Sequence, residues 1–154
     1  IMDFALEFHV DKHGVAYNGI SVFATSSTGA YTGNYVNDEA CLKRRIPEAL
    51  QGHLSDVCKK LQQQLQNVYS QGYSGPLGVD MMVVEHQGEK YIHPCVEVNL
   101  RQTMGNVCVS LRSQLRRGAA IYRLRPVGET TESTLVLTPC AKRIEAVLQT
   151  EEAE

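Results

Sequence analysis

The sequence predicts an α+β protein in which two main amphipathic helices pack on an antiparallel sheet. Three patterns support this class. Apolar and polar residues alternate strictly over 2–10, apolar residues recur at helical spacing over 38–71 and 103–117, and two strand-like segments at 78–85 and 91–99 are separated by a turn. The chain has 154 residues, and we expect them to form a single domain.

The first three predicted strands form an antiparallel meander. Strand 2–10 turns at 11–14 into strand 15–24, and a turn at 26–29 leads to a short strand at 30–36. In the first strand, the side chains on one face are apolar and those on the other are mostly polar. The apolar set is Phe4, Leu6, Phe8 and Val10, and the other set is Asp3, Ala5, Glu7 and His9.

Four polar side chains of this meander have two interpretations each. Glu7 and His9 could line a ligand cleft, although a solvated strand face is the interpretation that we favour. Tyr31 and Asn34 resemble residues of a functional loop, but a glycine followed by Asn34 is also ordinary turn chemistry. The role of all four residues is left open at this point.

The segment between the meander and the paired strands predicts one long amphipathic helix, or two helices joined near Ile46 and Pro47. Asn37 or Asp38 is a good N-cap. Pro47 should break or restart the helix, because proline lacks the backbone N–H that a helix interior needs.

The pattern after the paired strands predicts a second helix over 103–117, followed by short strands at 119–124 and 134–138. Residues 141–150 are compatible with a helix that ends in an acidic, frayed tail. Three arginines late in the second helix would complement its macrodipole: Arg112, Arg116 and Arg117.

Composition argues against several classes of partner and site. The net charge of −2 gives no general attraction to nucleic acid, so we expect no nucleic-acid partner. No apolar run approaches the ~18 residues of a membrane span, and we expect no membrane partner. The cysteines lack the spacing of a zinc site, and an odd, scattered set predicts reduced thiols in the cytoplasm. They are Cys41, Cys58, Cys95, Cys108 and Cys140.

Glu97, Asn99 and Arg101 recur at every second residue, which places their side chains on one face of a strand. Carboxylate and amide oxygens are ligands for Mg²⁺, and a planar guanidinium binds phosphate. A solvent-facing strand face is the commoner origin of such alternation. These three side chains, called the row below, therefore leave both interpretations open by themselves.

Asp80 joins this row by register. A two-residue turn at 88–89 places Asp80 directly opposite Glu97, whereas a turn at 87–88 places it opposite Cys95 and diagonal to Glu97. Any loop of even length keeps Asp80 on the same face as the row, but an odd loop or a bulge would break the prediction. Two carboxylates that lie within about 5–8 Å of each other favour a cation between them.

With these residues the sequence resembles the ATP-grasp family, over about 75–106. The C-terminal half of that fold typically carries an acidic residue on one strand and Glu-x-Asn-x-Arg on its partner, which Asp80, Glu97, Asn99 and Arg101 match. The context around them looks like a bacterial branch of the family rather than a particular synthetase. The resemblance implies that the chain is the C-terminal half of an ATP-grasp fold.

The resemblance also implies roles for the four residues. Asp80, Glu97 and Asn99 would bind the Mg²⁺ ions that bridge the phosphates of ATP, and Arg101 would contact the transferring phosphate or the acyl phosphate. The intact protein would join a small-molecule carboxylate to an amine or thiol. Catalysis of this kind depends on metals at the phosphate oxygens and a cation facing the developing charge.

The chain opens inside a strand at Ile1, so we expect 1–154 to be a piece of a longer protein whose N-terminal subdomain completes the nucleotide site. Alone it would then be inactive. An ATP-grasp-like module used for binding or assembly is the alternative function, and a metal-dependent hydrolase on the same acidic face is a third. A homo-oligomer, the substrates and independent folding are left open.

Overall fold

The structure is a computed structural model that describes residues 2–69, 72–115, 119–127, 134–141 and 144–150. One eight-stranded sheet dominates it, with strand order β5-β4-β1-β2-β3-β6-β8-β7 and antiparallel pairing between neighbours. The strands are β1 (Met2–Asp11), β2 (Gly14–Thr25), β3 (Tyr31–Val36), β4 (Gly75–His86), β5 (Glu89–Asn99), β6 (Ala120–Pro126), β7 (Thr134–Ala141) and β8 (Ile144–Thr150). The helices are α1 (Glu39–Arg44), α2 (Glu48–Tyr69) and α3 (Met104–Leu111), and a 3₁₀ turn follows at Arg112–Gln114.

The predicted meander is confirmed, and β1 has a neighbour on each side. It pairs with β2 and with β4, so its backbone groups are satisfied along both edges. One face of β1, β2 and β4 forms an apolar core with α1 and α2. Its fully or nearly fully buried members include Phe4, Leu6, Phe8, Ile20, Leu42, Ile46, Leu54, Leu77, Val79 and Met81.

The helical segment divides where proline predicts it. α1 ends at Arg44 and α2 begins at Glu48, on either side of Pro47. Asp38 is the N-cap of α1, and its carboxylate accepts a hydrogen bond of 2.8 Å from the backbone N–H of Cys41. Within the described part of the chain, no helix is both long enough and apolar enough to cross a membrane.

The second predicted helix is shorter than expected, because α3 ends at Leu111. Arg112 then folds back and donates to the carbonyl oxygen of Ile20 at 2.8 Å, and it pairs with Glu39 at 3.5 Å. Its role is therefore to join α3 to neighbouring elements. Arg116 and Arg117 lie outside the described residues.

α3 packs on the face of the sheet opposite to α1 and α2. The evidence is in β1, where Leu6 belongs to the α1 and α2 core while the adjacent Glu7 is hydrogen-bonded to residues of α3 and its N-cap. A second apolar cluster lies under α3, and its buried members are Val36, Cys108, Ala120, Tyr122, Ala146 and Leu148.

The expectation of a helix over 141–150 is wrong. Residues 144–150 form strand β8, which pairs with β6 on one side and β7 on the other. Ala146, Val147 and Leu148 are all buried, as expected of a strand covered on both faces. Pairing with two strands outweighs the helix propensity of Glu and Ala, whereas Ile144 and Val147 favour a strand. The acidic tail at 151–154 lies outside the described residues.

A substitution at Leu77 tests the main core, because the Leu77 side chain is fully buried. Val68 on α2, which is 65% exposed, provides the control. We expect Leu77→Ala to lower the free energy of unfolding by about 2–5 kcal/mol, because it removes buried methyl groups and leaves a cavity. Val68→Ala should change it by no more than about 0.5 kcal/mol. Urea unfolding of both variants measures the difference, and equal stabilities would contradict the placement of β4 in this core.

Candidate functional site

Asp80 pairs directly with Glu97 across the β4–β5 hairpin, as one of the two predicted registers required. The turn, however, lies at 87–88, which is the turn predicted for the other register. Gln87 and Gly88 are its central residues, with φ of 54° and 80°, which is the geometry of a tight type I′ hairpin.

An irregularity in β5 reconciles the two observations. His93 pairs with Met82 and Glu97 pairs with Asp80, so three residues of β5 (94–96) oppose Met81 alone. Pro94 lies at this point, and its missing N–H explains the interruption of the ladder. The two extra residues are an even number, which keeps Asp80 on the face of the row despite the bulge.

The row forms a chain of hydrogen bonds with Asp80. The side-chain amide of Asn99 donates to Asp80 Oδ2 at 3.1 Å, and the guanidinium of Arg101 donates to Asn99 Oδ1 at 2.9 Å. Asn99 is buried, Asp80 is half-buried, and Glu97 and Arg101 are exposed. The side chains that the sequence singled out are therefore adjacent, with their charged ends at the surface of a cleft.

Burial and the charge of Glu97 raise the pKa of Asp80 above its usual value, against the hydrogen bond from Asn99 and the charge of Arg101. Protonation of Asp80 relieves the repulsion between the two carboxylates, and a cation placed between them would also relieve it. The site therefore favours positive charge at the point where Asp80 and Glu97 meet.

The donor set fits Mg²⁺ bound together with phosphates. Asp80, Glu97 and Asn99 offer hard oxygens, and Asn99 Oδ1 keeps a second lone pair beside its bond to Arg101. No group of three or more His, Cys, Asp or Glu side chains within the described ranges could hold a metal by itself. Mg²⁺ usually takes one or two protein carboxylates and completes its shell with phosphate and water, which two carboxylates and an amide allow.

Glu7 is the functional candidate whose environment the sequence misjudged. The favoured interpretation was a solvated strand face, yet Glu7 is 1% exposed. It accepts hydrogen bonds of 2.8 Å each from Ser21, Thr103 and Asn106. His9, on the same face, is exposed as expected. The difference arises because α3 covers the middle of β1 and does not extend to its end.

Two glycines make room for the Glu7 carboxylate. A Cβ at Gly78 would lie 2.7 Å from Glu7 Oε2, and a Cβ at Gly105 would overlap Glu7 Oε1 and the hydroxyl of Ser21. Neither glycine has the positive φ that would by itself require one. Both positions therefore need glycine for the close approach to Glu7.

Thr103 connects this network to the helix. Its hydroxyl accepts from the backbone N–H of Asn106 at 2.9 Å, as an N-cap, and donates to Glu7 Oε2. Asn106 then reaches back to the same carboxylate oxygen. The beginning of α3 is thereby fixed against the sheet beside the row.

One cleft of about 440 Å³ is lined both by Asp80 and the row and by Glu7 and Thr103. Its other wall carries Tyr31 and Asn34, which lie on strand β3 and not in a loop. The hydroxyl of Tyr31 donates to Asn34 Oδ1 at 2.6 Å, and its ring lies 6.4 Å from that of Phe23. The cleft is lined by Ala5, Glu7, Ser21, Phe23, Thr25, Gly29, Tyr31, Asn34, Asp80, Glu97, Asn99, Arg101, Thr103, Met104 and Gly105.

Solved structures share this architecture. A protein of Archaeoglobus fulgidus assigned to the ATP-grasp superfamily matches 98% of the chain at a TM-score of 0.53 and 14% identity. Pyruvate carboxylase of Rhizobium etli matches 97% at 0.56 and 10% identity. The biotin carboxylase domain of Hydrogenobacter thermophilus 2-oxoglutarate carboxylase, in complex with MgADP and bicarbonate, matches 97% at 0.50 and 11% identity.

The chain has an ATP-grasp-like fold. It spans 46%, 18% and 41% of the lengths of these three structures, in the same order. No family model matches the sequence, and no curated protein matches it. At these identities the likeness establishes the fold.

Alanine should have opposite effects at two glycines, because Gly105 packs against Glu7 whereas Gly52 faces open space. Gly105→Ala should lower the free energy of unfolding by about 1–3 kcal/mol, because the new methyl group overlaps the Glu7 carboxylate. Gly52→Ala, in the second turn of α2 with no atom within 4 Å of the new Cβ, should raise it by about 0.5–1 kcal/mol. Urea unfolding measures both, and a Gly105→Ala variant as stable as the parent would contradict the packing.

Burial raises the pKa of Glu7 from 4.5 to about 7, against the hydrogen bonds from Thr103 and Ser21. Between these values the folded carboxyl keeps a proton that the unfolded chain loses, so stability falls as the pH rises through this window. The contribution of Glu7 to this fall is at most about 3–4 kcal/mol.

Glu7→Gln should remove that part of the pH dependence. The measurement is urea unfolding of both proteins at about pH 4 and about pH 8, where other titrating groups contribute equally and cancel in the difference. Parallel pH profiles for the parent and Glu7→Gln would show that the Glu7 carboxyl does not change its pKa on folding.

Proposed function

We propose that the protein containing this chain is an ATP-dependent ligase, which activates a small-molecule carboxylate as an acyl phosphate and passes the acyl group to an amine or thiol. The chain would supply the Mg²⁺ and phosphate side of the active site. The observation that carries this proposal is the convergence of Asp80, Glu97, Asn99 and Arg101 on one cleft of an ATP-grasp-like fold.

The proposed reaction has two steps. A carboxylate oxygen of the substrate bonds to the terminal phosphorus of ATP while the bond from that phosphorus to ADP breaks. The amine or thiol then attacks the acyl carbon, inorganic phosphate leaves, and the nucleophile releases a proton. Bound Mg²⁺ would neutralise charge on the phosphate oxygens.

The residues of the chain would orient and stabilise. Asp80 and Glu97 would hold Mg²⁺ through their carboxylates, with Asn99 Oδ1 as the neutral third ligand. Arg101, whose guanidinium is already at the cleft, would face the transferring phosphate as negative charge shifts in the transition state. A planar guanidinium suits this role because it can donate two parallel hydrogen bonds to phosphate.

A neighbour supports the choice of cofactors. The Hydrogenobacter thermophilus domain is complexed with MgADP, ADP and bicarbonate. We infer ATP and Mg²⁺ for this chain as well. Because the chain spans less than half of each of these relatives, the remaining contacts to ATP would come from an N-terminal subdomain of the same protein.

The cysteines of this chain bear on its location. Those described, at positions 41, 58, 95 and 108, are free thiols, and we infer a cytoplasmic protein on that basis.

A non-catalytic binding or assembly module is the second candidate. The observation that favours it is that Asp80, Asn99 and Arg101 are joined to one another by hydrogen bonds within the chain. The two candidates differ in whether nucleotide turnover depends on the row.

The full-length protein tests the proposal through Mg²⁺-dependent ADP release in the presence of candidate carboxylates and amines. Asp80→Ala and Glu97→Ala should each lower kcat/KM by about a hundredfold or more, since each removes a metal ligand from the transition state. Glu85→Ala is the matched control, because Glu85 is an exposed carboxylate of the same strand that lies on the other face.

Normal ADP release by both Asp80→Ala and Glu97→Ala would rule out the proposed metal site. Nucleotide binding by the parent without turnover would favour the binding module. Phosphate released from phosphoesters with no nucleotide required would indicate a metal-dependent hydrolase on the same acidic face.

A further inference from the structure

The hydrogen bonds of Glu7 join three separate elements at one point. Glu7 belongs to β1, Ser21 to β2, and Thr103 and Asn106 to the beginning of α3. All four side chains are at most 8% exposed. The carboxylate therefore ties the N-terminus of α3 to the middle of the sheet.

The segment that carries Arg101 is held by its two ends. Asn99 at one end is buried and bonded to Asp80, and Thr103 at the other end is buried and bonded to Glu7. The three residues between them are exposed: Leu100, Arg101 and Gln102. The path of the backbone at Arg101 is therefore set by these two anchors.

We propose that Glu7 is a positioning residue for Arg101, acting through Thr103 and the N-terminus of α3. This inference rests on the proposed function, in which Arg101 faces the transferring phosphate. Glu7 itself would touch neither ATP nor substrate. A guanidinium displaced by about 1 Å would lose much of its effect on the transition state, so a distant anchor can change the rate.

The donors around Glu7 explain why a carboxylate is needed at this position. Thr103 Oγ1 already accepts from the backbone N–H and the side-chain amide of Asn106, so its own proton points to Glu7. A carboxylate accepts from Ser21, Thr103 and Asn106 together, whereas the amide of glutamine has one oxygen and two protons. With the amide oxygen toward Thr103 and Asn106, the NH₂ group of Glu7→Gln would face Ser21, whose hydroxyl would have to turn and accept instead of donate. The substitution keeps the volume of the side chain but changes this set of hydrogen bonds.

The variants separate positioning from simple support of the fold. Glu7→Gln and Thr103→Val weaken the anchor with little change in volume, and Thr103→Ser restores the hydroxyl. The control is Gln66→Leu, which removes a partly buried hydrogen bond of 2.7 Å that the backbone N–H of Val15 donates to Gln66 Oε1 on the other side of the sheet. It should lower the melting temperature without touching the cleft.

In the full-length protein, Glu7→Gln and Thr103→Val should lower kcat for Mg²⁺-dependent ADP release about 10–100-fold, with KM for ATP changed less than about threefold. Thr103→Ser should stay within about threefold of the parent in both constants, and Gln66→Leu should keep the parental kcat. A second readout needs no turnover. Without nucleotide, hydrogen–deuterium exchange in 99–106 should become about tenfold faster in Glu7→Gln than in the parent, but not in Gln66→Leu.

Two results would overturn the inference. One is a Glu7→Gln protein with a lower melting temperature but the parental kcat, since Glu7 would then only support the fold. The other is unchanged exchange in 99–106. If the parent itself releases no ADP, the proposed function fails separately. Faster exchange confined to 99–106 would then still support the anchoring role of Glu7, and uniform exchange would refute it.

Discussion

The structure depends on the position of β1, which lies between β4 and β2 and has both faces covered. Because side chains alternate along a strand, β1 must serve two layers at once. Leu6 and Phe8 pack into the apolar core under α1 and α2, and Glu7 between them points to α3. The same register places Ala5 beside Asp80 and Glu7 beside Gly78, so the core and the candidate site are fixed by one pairing.

This arrangement explains how a carboxylate can remain in the interior of the sheet. A buried charge without partners costs several kcal/mol, which is why desolvation is the largest cause of the raised pKa of Glu7. Ser21, Thr103 and Asn106 offset part of that cost, and the missing Cβ atoms of Gly78 and Gly105 let them approach. Glu7, Ser21 and Thr103 therefore contribute both to the packing of the interior and to the wall of the cleft.

The sequence predicted the hairpin and the row because both follow from the period of two along a strand. Two registers were predicted, and the structure combines the Asp80–Glu97 pair of one with the turn at 87–88 of the other. Asp80 stays on the predicted face because the bulge adds an even number of residues. The burial of Glu7 could not be predicted in this way. It depends on which elements cover β1, and Thr103 and Asn106 lie almost a hundred residues away along the chain.

The expected helix at 141–150 was wrong for a related reason. Local propensity in that segment is divided between helix formers and β-branched residues, and the decision comes from β6 and β7 on either side. When a segment carries both signals, the strands available for pairing decide whether it forms a helix or a strand. The periodicity within the segment does not show which strands those are. The useful signal was the two β-branched residues, Ile144 and Val147, in a segment that follows two predicted strands.

The hydrogen bonds of the row also indicate how binding of phosphate and of metal would be coupled in the proposed ligase. Arg101 now donates to Asn99 Oδ1, the same oxygen that would bind Mg²⁺. A phosphate that attracts the guanidinium would release this oxygen for the metal, and the metal would in turn favour the phosphate. Asp80 would keep Asn99 in place during the exchange through its bond to the amide nitrogen. Each of the two ligands would therefore make the other easier to bind.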